Sequence, residues 1–307
     1  MFRLERTQSH SVRMLRMERR ELKTDGVRKT FESLDSFFES EPSSLESGIY
    51  QINHGLPLMV RWENRSCTNT VVTFTAAASN RLKTLPVFSG VKATEGLPCN
   101  TLMFSDPSML LDVETTIAWF AGNRYQPDLQ EDIAKVIRSF SKDGKIILLG
   151  GSGGGYSALV QHSKLENATT LVFNPSTRIE ARPIFRNYLN KMWDAENQSV
   201  LPGNMILDVT KVFEYPVSGQ VFYVQNSFDQ NFVRNYMWPF AEKLHEENEV
   251  YFLTPFYAKG HVPLDSDSVH SLLSEIIEHD SWEERKKAVS SISLYGRRNI
   301  PTQVVQT

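Results

Sequence analysis

Cysteine is scarce in this 307-residue sequence, which has only Cys67 and Cys99. The two lack CxxC spacing, which argues against a cysteine-rich zinc site or a disulfide framework, and a reduced pair is expected. No run of about 18 apolar residues occurs, so no helical membrane span is expected. The first residues lack the unbroken apolar stretch of a secretion signal, and a cytoplasmic location is expected. Glycine (16) and proline (14) stay near background, which removes collagen-like and low-complexity readings. Positive charge is not in excess: 33 Lys and Arg face 36 Asp and Glu, a net charge of −3. No global basic field is available to hold nucleic acid. HExxH and other helix-spaced ligand pairs are missing, so no metal is expected.

What remains is ample material for a folded enzyme-sized body. Hydrophobic residues make up 40% of the chain and charged residues 22%, enough for a sizeable core. The charge is uneven. Residues 1–30 carry nine basic against four acidic side chains, a net +5 that leaves −8 for the rest. Residues 1–48 therefore read as a basic arm ending in the linker EPSSLESG (41–48), the candidate contact to an anionic membrane surface or an acidic partner.

From residue 49 to about 290, strand-like runs alternate with helical periodicity. LPLMVRWE (56–63), VVTFTAAAS (71–79), KIILLGG (145–151), TTLVFNP (169–175), QVFYVQN (220–226) and VYFLTPF (250–256) are strand-like. PDLQEDIAKVIRSFSK (127–142) places Ile133, Val136, Ile137 and Phe140 at helical spacing. A helix is also expected over 231–245. This alternation predicts one α/β domain with a mostly parallel sheet and helices on both faces. The less regular segment 177–215 is expected to be a lid insertion, and 291–307 a C-terminal tail.

The most informative stretch is KIILLGGSGGGYSAL (145–159). It contains G-x-S-x-G as Gly150-Gly151-Ser152-Gly153-Gly154, between an apolar strand and a helix, which is the setting of a nucleophile elbow. The turn is so sharp that the residues two before and two after the serine must be tiny. It would lift the Ser152 hydroxyl out of the sheet and aim the Gly153 N–H at a reacting oxygen. A dinucleotide fingerprint or a phosphate loop would need glycine or lysine where Tyr156 stands, so both fail.

A nucleophilic serine needs a base, and His261 sits where one is expected. It follows an apolar strand across a short loop, inside Gly260-His261-Val262-Pro263. Asp229, in SFDQN after the preceding strand, would orient that imidazole, and it also suits a helix N-cap. The slot after TTLVFNP offers Asn174 and no carboxylate. A second oxyanion donor is expected near Ala77. Tyr156, Arg178 and Trp193 are the candidate substrate contacts.

At these residues the chain resembles the α/β-hydrolase superfamily over roughly residues 50–290. It is also similar to hydrolase-like proteins of bacterial capsule and surface-polysaccharide gene clusters. The pieces that carry the resemblance are FTAA, FSDPSM, GGSGGGYSAL, FNPST, YVQNSFDQNFV and GHVP. The resemblance implies an α/β-hydrolase-like fold and the triad Ser152, Asp229 and His261. It further implies acyl transfer to sugar hydroxyls, with no resident cofactor and acetyl-CoA as the acyl donor. The expected partner is a glycan or a small acyl ester. An esterase or deacetylase is the alternative, and a non-catalytic scaffold in glycan assembly is the third reading. The commonest elbow carries a bulky residue where Gly151 stands, and the extra glycines imply a more flexible turn.

Overall fold

The computed structural model describes residues 18–79, 81–142 and 144–297. Its strands are β1 (Glu21–Leu22), β2 (Val27–Phe31), β3 (Gly48–His54), β4 (Leu56–Glu63), β5 (Thr70–Phe74), β6 (Thr84–Leu85), β7 (Asn100–Ser105), β8 (Ile146–Gly151), β9 (Thr169–Phe173), β10 (Gln220–Val224) and β11 (Glu249–Leu253). β1 and β6 form a small parallel ribbon. The other strands form a nine-stranded sheet in the order β11-β10-β9-β8-β5-β7-β4-β3-β2. Within it only the two pairings of β4, with β3 and β7, are antiparallel.

The strand runs are apolar on both sides because both faces of the sheet are covered. Val72, Leu148, Val172 and Tyr223 join one core, while Val71, Ile147, Leu171 and Phe222 join the other. The two-residue period of an extended chain produces this alternation. The helices Leu129–Ser141 and Ser152–His162 pack on the first face. Ser266–Glu278 and Trp282–Ser290 cover the second. The connections reverse direction around β5, which lies between β7 and β8. The carboxyl ends of β5 and β8 therefore flank a topological switch point, where open α/β sheets leave a crevice.

The main sheet already includes a strand before residue 49. β2 is an edge strand of the main sheet, paired in parallel with β3. The supposed linker forms a tight turn over Pro42–Ser44, and the Leu45 carbonyl accepts from Trp62 Nε1 at 3.0 Å. Arg20, counted with the basic arm, is 4% exposed. Its guanidinium donates to the carbonyls of Leu82, Met109, Asp112, Val113 and Thr115 at 2.6–3.0 Å. Several of these lie at the end of the short helix Pro107–Leu111, where carbonyls run out of intrahelical partners. The rest of the expected arm, residues 1–17, lies outside the described residues.

The segment 177–215, expected as a lid, packs into the body. Its helix Phe185–Trp193 buries Phe185, Tyr188, Leu189 and Met192 in the same core as the sheet. Of the expected tail, Gly296 bridges Leu264 and the Arg297 N–H donates to the Pro263 carbonyl at 2.8 Å; residues 298–307 lie outside the described residues. Cys67 and Cys99 are free thiols. Among the described residues, no helix is long and apolar enough to cross a membrane.

His162 ends the helix that follows β8 and is 1% exposed. Its ring stacks on Phe213, and Nδ1 lies 2.8 Å from Thr170 Oγ1. Burial disfavours the imidazolium and pulls its pKa from 6.5 down to about 4. The unfolded chain therefore binds a proton that the folded chain refuses between those two values. Stability from this group is full above the unfolded pKa and is lost as pH falls toward the folded one. Urea titrations at about pH 7 and about pH 4.5 are expected to differ by on the order of 2–3 kcal/mol through this residue, and His162→Gln should remove that share of the slope.

Candidate active site

The apolar strand β8 runs straight into the helix Ser152–His162, with Ser152 at the junction at φ +50°. A left-handed backbone at a non-glycine residue is strained, and here it turns the side chain out of the sheet. The neighbours must yield for it. A Cβ on Gly150 would lie 2.2 Å from the Gly154 carbonyl oxygen, and one on Gly154 would lie 2.5 Å from that of Phe74. The extra glycine also has a packing cause. Parallel register sets Gly151 beside Phe173 of β9, whose ring would stand 2.0 Å from an added Cβ. The space taken by a bulky residue in commoner elbows is filled here from the next strand. Close packing against Phe173 leaves Gly151 no room for a side chain.

Ser152 Oγ lies 2.9 Å from His261 Nε2, and His261 Nδ1 lies 2.5 Å from Asp229 Oδ2. The three residues, far apart in sequence, form one hydrogen-bonded line. The Asp229 side chain is 3% exposed and that of His261 37%. With the carboxylate on Nδ1, the neutral ring presents Nε2 as an acceptor to the serine hydroxyl. Asp229 makes both contacts, because its other oxygen accepts the Phe232 N–H at 3.2 Å as a helix N-cap.

Two asparagines, which sequence reasoning missed, hold the loops that carry this line. Asn226 Nδ2 donates to the carbonyls of Ala258 and Gly260 at 2.9 and 2.8 Å. Asn174, at φ +44°, donates to the Val262 carbonyl at 2.8 Å and accepts the Asn226 N–H at 2.8 Å. The slot noted for lacking a carboxylate thus holds the backbone just after His261, while Asn226 holds it just before. Asparagine at a strand end, able to adopt left-handed backbone and bond nearby main chain, was the available signal. The ring of Phe232, also missed, lies against His261.

Gly153 stands in the first turn of its helix, where N–H groups have no intrahelical partner. Ala77 is exposed at the end of β5, and the Ala78 N–H is already bonded to the Thr116 carbonyl at 2.7 Å. A cavity of about 280 Å³ opens beside Ala76–Ala78, Ile117 and Trp119. A second, of about 500 Å³, runs past Ala76, Ala77, Gly151 and Phe173. Buried Asp106 lines the first. Burial raises its carboxyl pKa to about 6, against the N–H groups of Phe120 and Ser108 that favour the charged form.

The three expected substrate contacts have other occupations. Tyr156 is fully buried, and its hydroxyl bonds the Ile206 carbonyl. Trp193 Nε1 donates to the Tyr188 hydroxyl at 2.9 Å. Arg178 donates to the Asn235 carbonyl at 3.1 Å. Pro239, four residues on, has no N–H to offer that carbonyl in α-helical register. The same proline explains why the helix expected over 231–245 is broken by a π-helical turn at Val233–Met237. Among the described residues, no hydrogen bond joins these three to Ser152, His261 or Asp229.

No family model matches the chain, and no curated protein matches its sequence. Solved structures do. The capsule O-acetyltransferase of Neisseria meningitidis serogroup A is similar at a TM-score of 0.58, covering 78% of this chain and 99% of its own, with 13% identity. The S-formylglutathione hydrolase of Agrobacterium tumefaciens is similar at 0.51, covering 79% and 95%, with 11% identity. The fold is that of the α/β hydrolases. A mutant of the Neisseria acetyltransferase in complex with CoA is also similar, at a TM-score of 0.52 and 13% identity over 72% of this chain and 93% of that one. At such identities the likeness is one of fold.

The elbow geometry is directly testable. Gly150→Ala drives a Cβ into backbone that cannot move without breaking the helix start, and about 3 kcal/mol of destabilisation is expected. Gly203→Ala, where nothing lies within 4 Å of the added atom, should stay within about 0.5 kcal/mol. Denaturant midpoints of the two variants against wild type make the comparison, and equal effects would refute the packing account.

Proposed function

We propose that this chain is a serine acyl-transfer enzyme acting through a covalent acyl-enzyme. The observation that carries the reading is the continuous line from Ser152 Oγ to His261 Nε2, and from His261 Nδ1 to buried Asp229. In the first half-reaction His261 Nε2 takes the Ser152 proton as Oγ bonds to the acyl carbonyl carbon. The N–H of Gly153 and that of Ala77 hold the oxyanion. Collapse of the tetrahedral species breaks the bond to the leaving thiolate or alkoxide, which receives the proton from His261. In the second half an acceptor hydroxyl gives its proton to His261 and attacks the acyl carbon. Ser152 leaves and recovers a proton.

Acyl transfer to a polysaccharide hydroxyl, with acetyl-CoA as donor, is the reading we favour. It is supported by the fold likeness to a capsule O-acetyltransferase, one structure of which holds CoA. Hydrolysis by the same residues is the second reading, supported by the likeness to an S-formylglutathione hydrolase. The chemistry diverges only at the second half-reaction, where a sugar hydroxyl or water receives the acyl group.

A fluorophosphonate probe should label wild type and not Ser152→Ala. His261→Ala should slow labelling by about 10²–10⁴-fold. Equal labelling of Ser152→Ala would refute the nucleophile. Consumption of acetyl-CoA should accelerate when an O-deacetylated capsular polysaccharide is added, with acetyl esters appearing on it. Indifference of donor loss to acceptor would sink transfer and leave the esterase reading.

A further inference from the structure

The imidazole of His261 lies face to face on the phenyl ring of Phe232, with centroids 3.8 Å apart and planes within 17°. Phe232 is 2% exposed. It ends the short helix Gln230–Phe232, whose N-cap is Asp229. One capped turn therefore meets the imidazole in two directions. The Asp229 carboxylate reaches Nδ1 at 2.5 Å, at the edge of the ring, while the phenyl group covers its face. A hydrogen bond at Nδ1 fixes that atom but leaves the ring free to swing about the bond. A stacked aromatic face removes the swing and so holds Nε2 toward Ser152 Oγ, 2.9 Å away.

Phe232 is itself braced. Tyr236 packs against it at 4.7 Å between centroids. The Arg182 guanidinium lies over both rings, at 5.2 and 5.7 Å. The helix widens into its π-helical turn, Val233–Met237, immediately after Phe232. Such turns recur at functional sites. A buried aromatic braced by Tyr236 and Arg182 has little room to rotate.

We propose that Phe232 is a positioning residue for His261, setting the plane of the imidazole so that its Nε2 lone pair is aimed at the serine proton. The proposal rests on the reading of Ser152 as nucleophile and His261 as its base. The carboxylate supplies tautomer and charge, and the phenyl ring supplies the angle. Neither substitutes for the other, because one acts in the ring plane and the other perpendicular to it.

The test compares fluorophosphonate labelling rates and thermal midpoints of the full chain. Phe232→Leu and Phe232→Met keep an apolar filling without a flat face; Phe232→Tyr keeps the face. Labelling of the Leu and Met variants should slow by about tenfold or more, with midpoints close to wild type, and Tyr should recover most of the rate. On a model ester the loss should fall on kcat and leave KM unchanged. A Leu or Met variant that labels within about twofold of wild type overturns the proposal. So does equal slowing of Leu and Tyr, which would mark a packing effect without a stack. If Leu and Met do not fold, the Tyr variant still decides: slow labelling in a folded Tyr variant counts against a role for the flat face. Failure of the wild type to label would sink the nucleophile reading, and this proposal with it.

Discussion

The structure turns on one close backbone approach, where the end of β8 passes so near the following helix that Gly150 and Gly154 touch. Every other feature of the candidate site takes its position from that contact. It forces Ser152 into left-handed backbone, lifts the hydroxyl clear of the sheet and brings the unpaired N–H groups of the helix start beside it. The same crowding extends sideways. Phe173 fills the space above Gly151, and Ile117 lies 1.9 Å from where a Cβ on Gly153 would be. A run of five glycines around one serine is therefore a packing solution, in which several chain segments approach closer than any side chain permits.

The opposite half of the site depends on loops, which carry no such rigidity of their own. Side chains supply it. Asn226 and Asn174 hold the backbone on both sides of His261. Asp229 joins the cap of its helix to the edge of the imidazole. Each of these polar groups is buried and fully used, so the loop that presents His261 has few alternative arrangements. The strain at Ser152 and the order at His261 are complementary: one element is held by sterics, the other by hydrogen bonds.

The edges of the domain show how charge misleads when read from sequence alone. Arg20 belongs to a basic stretch, yet its guanidinium is buried among five carbonyls, of Leu82 and of Met109–Thr115, and ties the segment before β1 to them. Arg178, a candidate substrate contact by sequence, donates to the Asn235 carbonyl in a helix interrupted by Pro239. Arginine is equally suited to these structural uses, because its fork of donors matches any cluster of unpaired acceptors. A one-dimensional pattern of charge does not distinguish an arginine facing solvent from one facing a helix end.

The sequence by itself determined the fold class, the elbow and the order of its partners. Two-residue alternation marks strands and 3.6-residue spacing marks helices, and both are local properties of the backbone. The glycine spacing around Ser152 is local too, since it reflects a turn that spans five residues. Only the tertiary structure decided that Ser152, His261 and Asp229 meet and that Phe232 underlies the imidazole. It likewise decided that Tyr156 and Trp193 belong to the packed body, and that the sheet starts before the apparent linker. Those facts depend on which strands are neighbours and on their register, a matter of long-range pairing that no window of sequence contains. The spacing from Asp229 to Phe232 was visible all along. Its meaning appeared only when the loop bearing His261 folded down between the carboxylate and the ring.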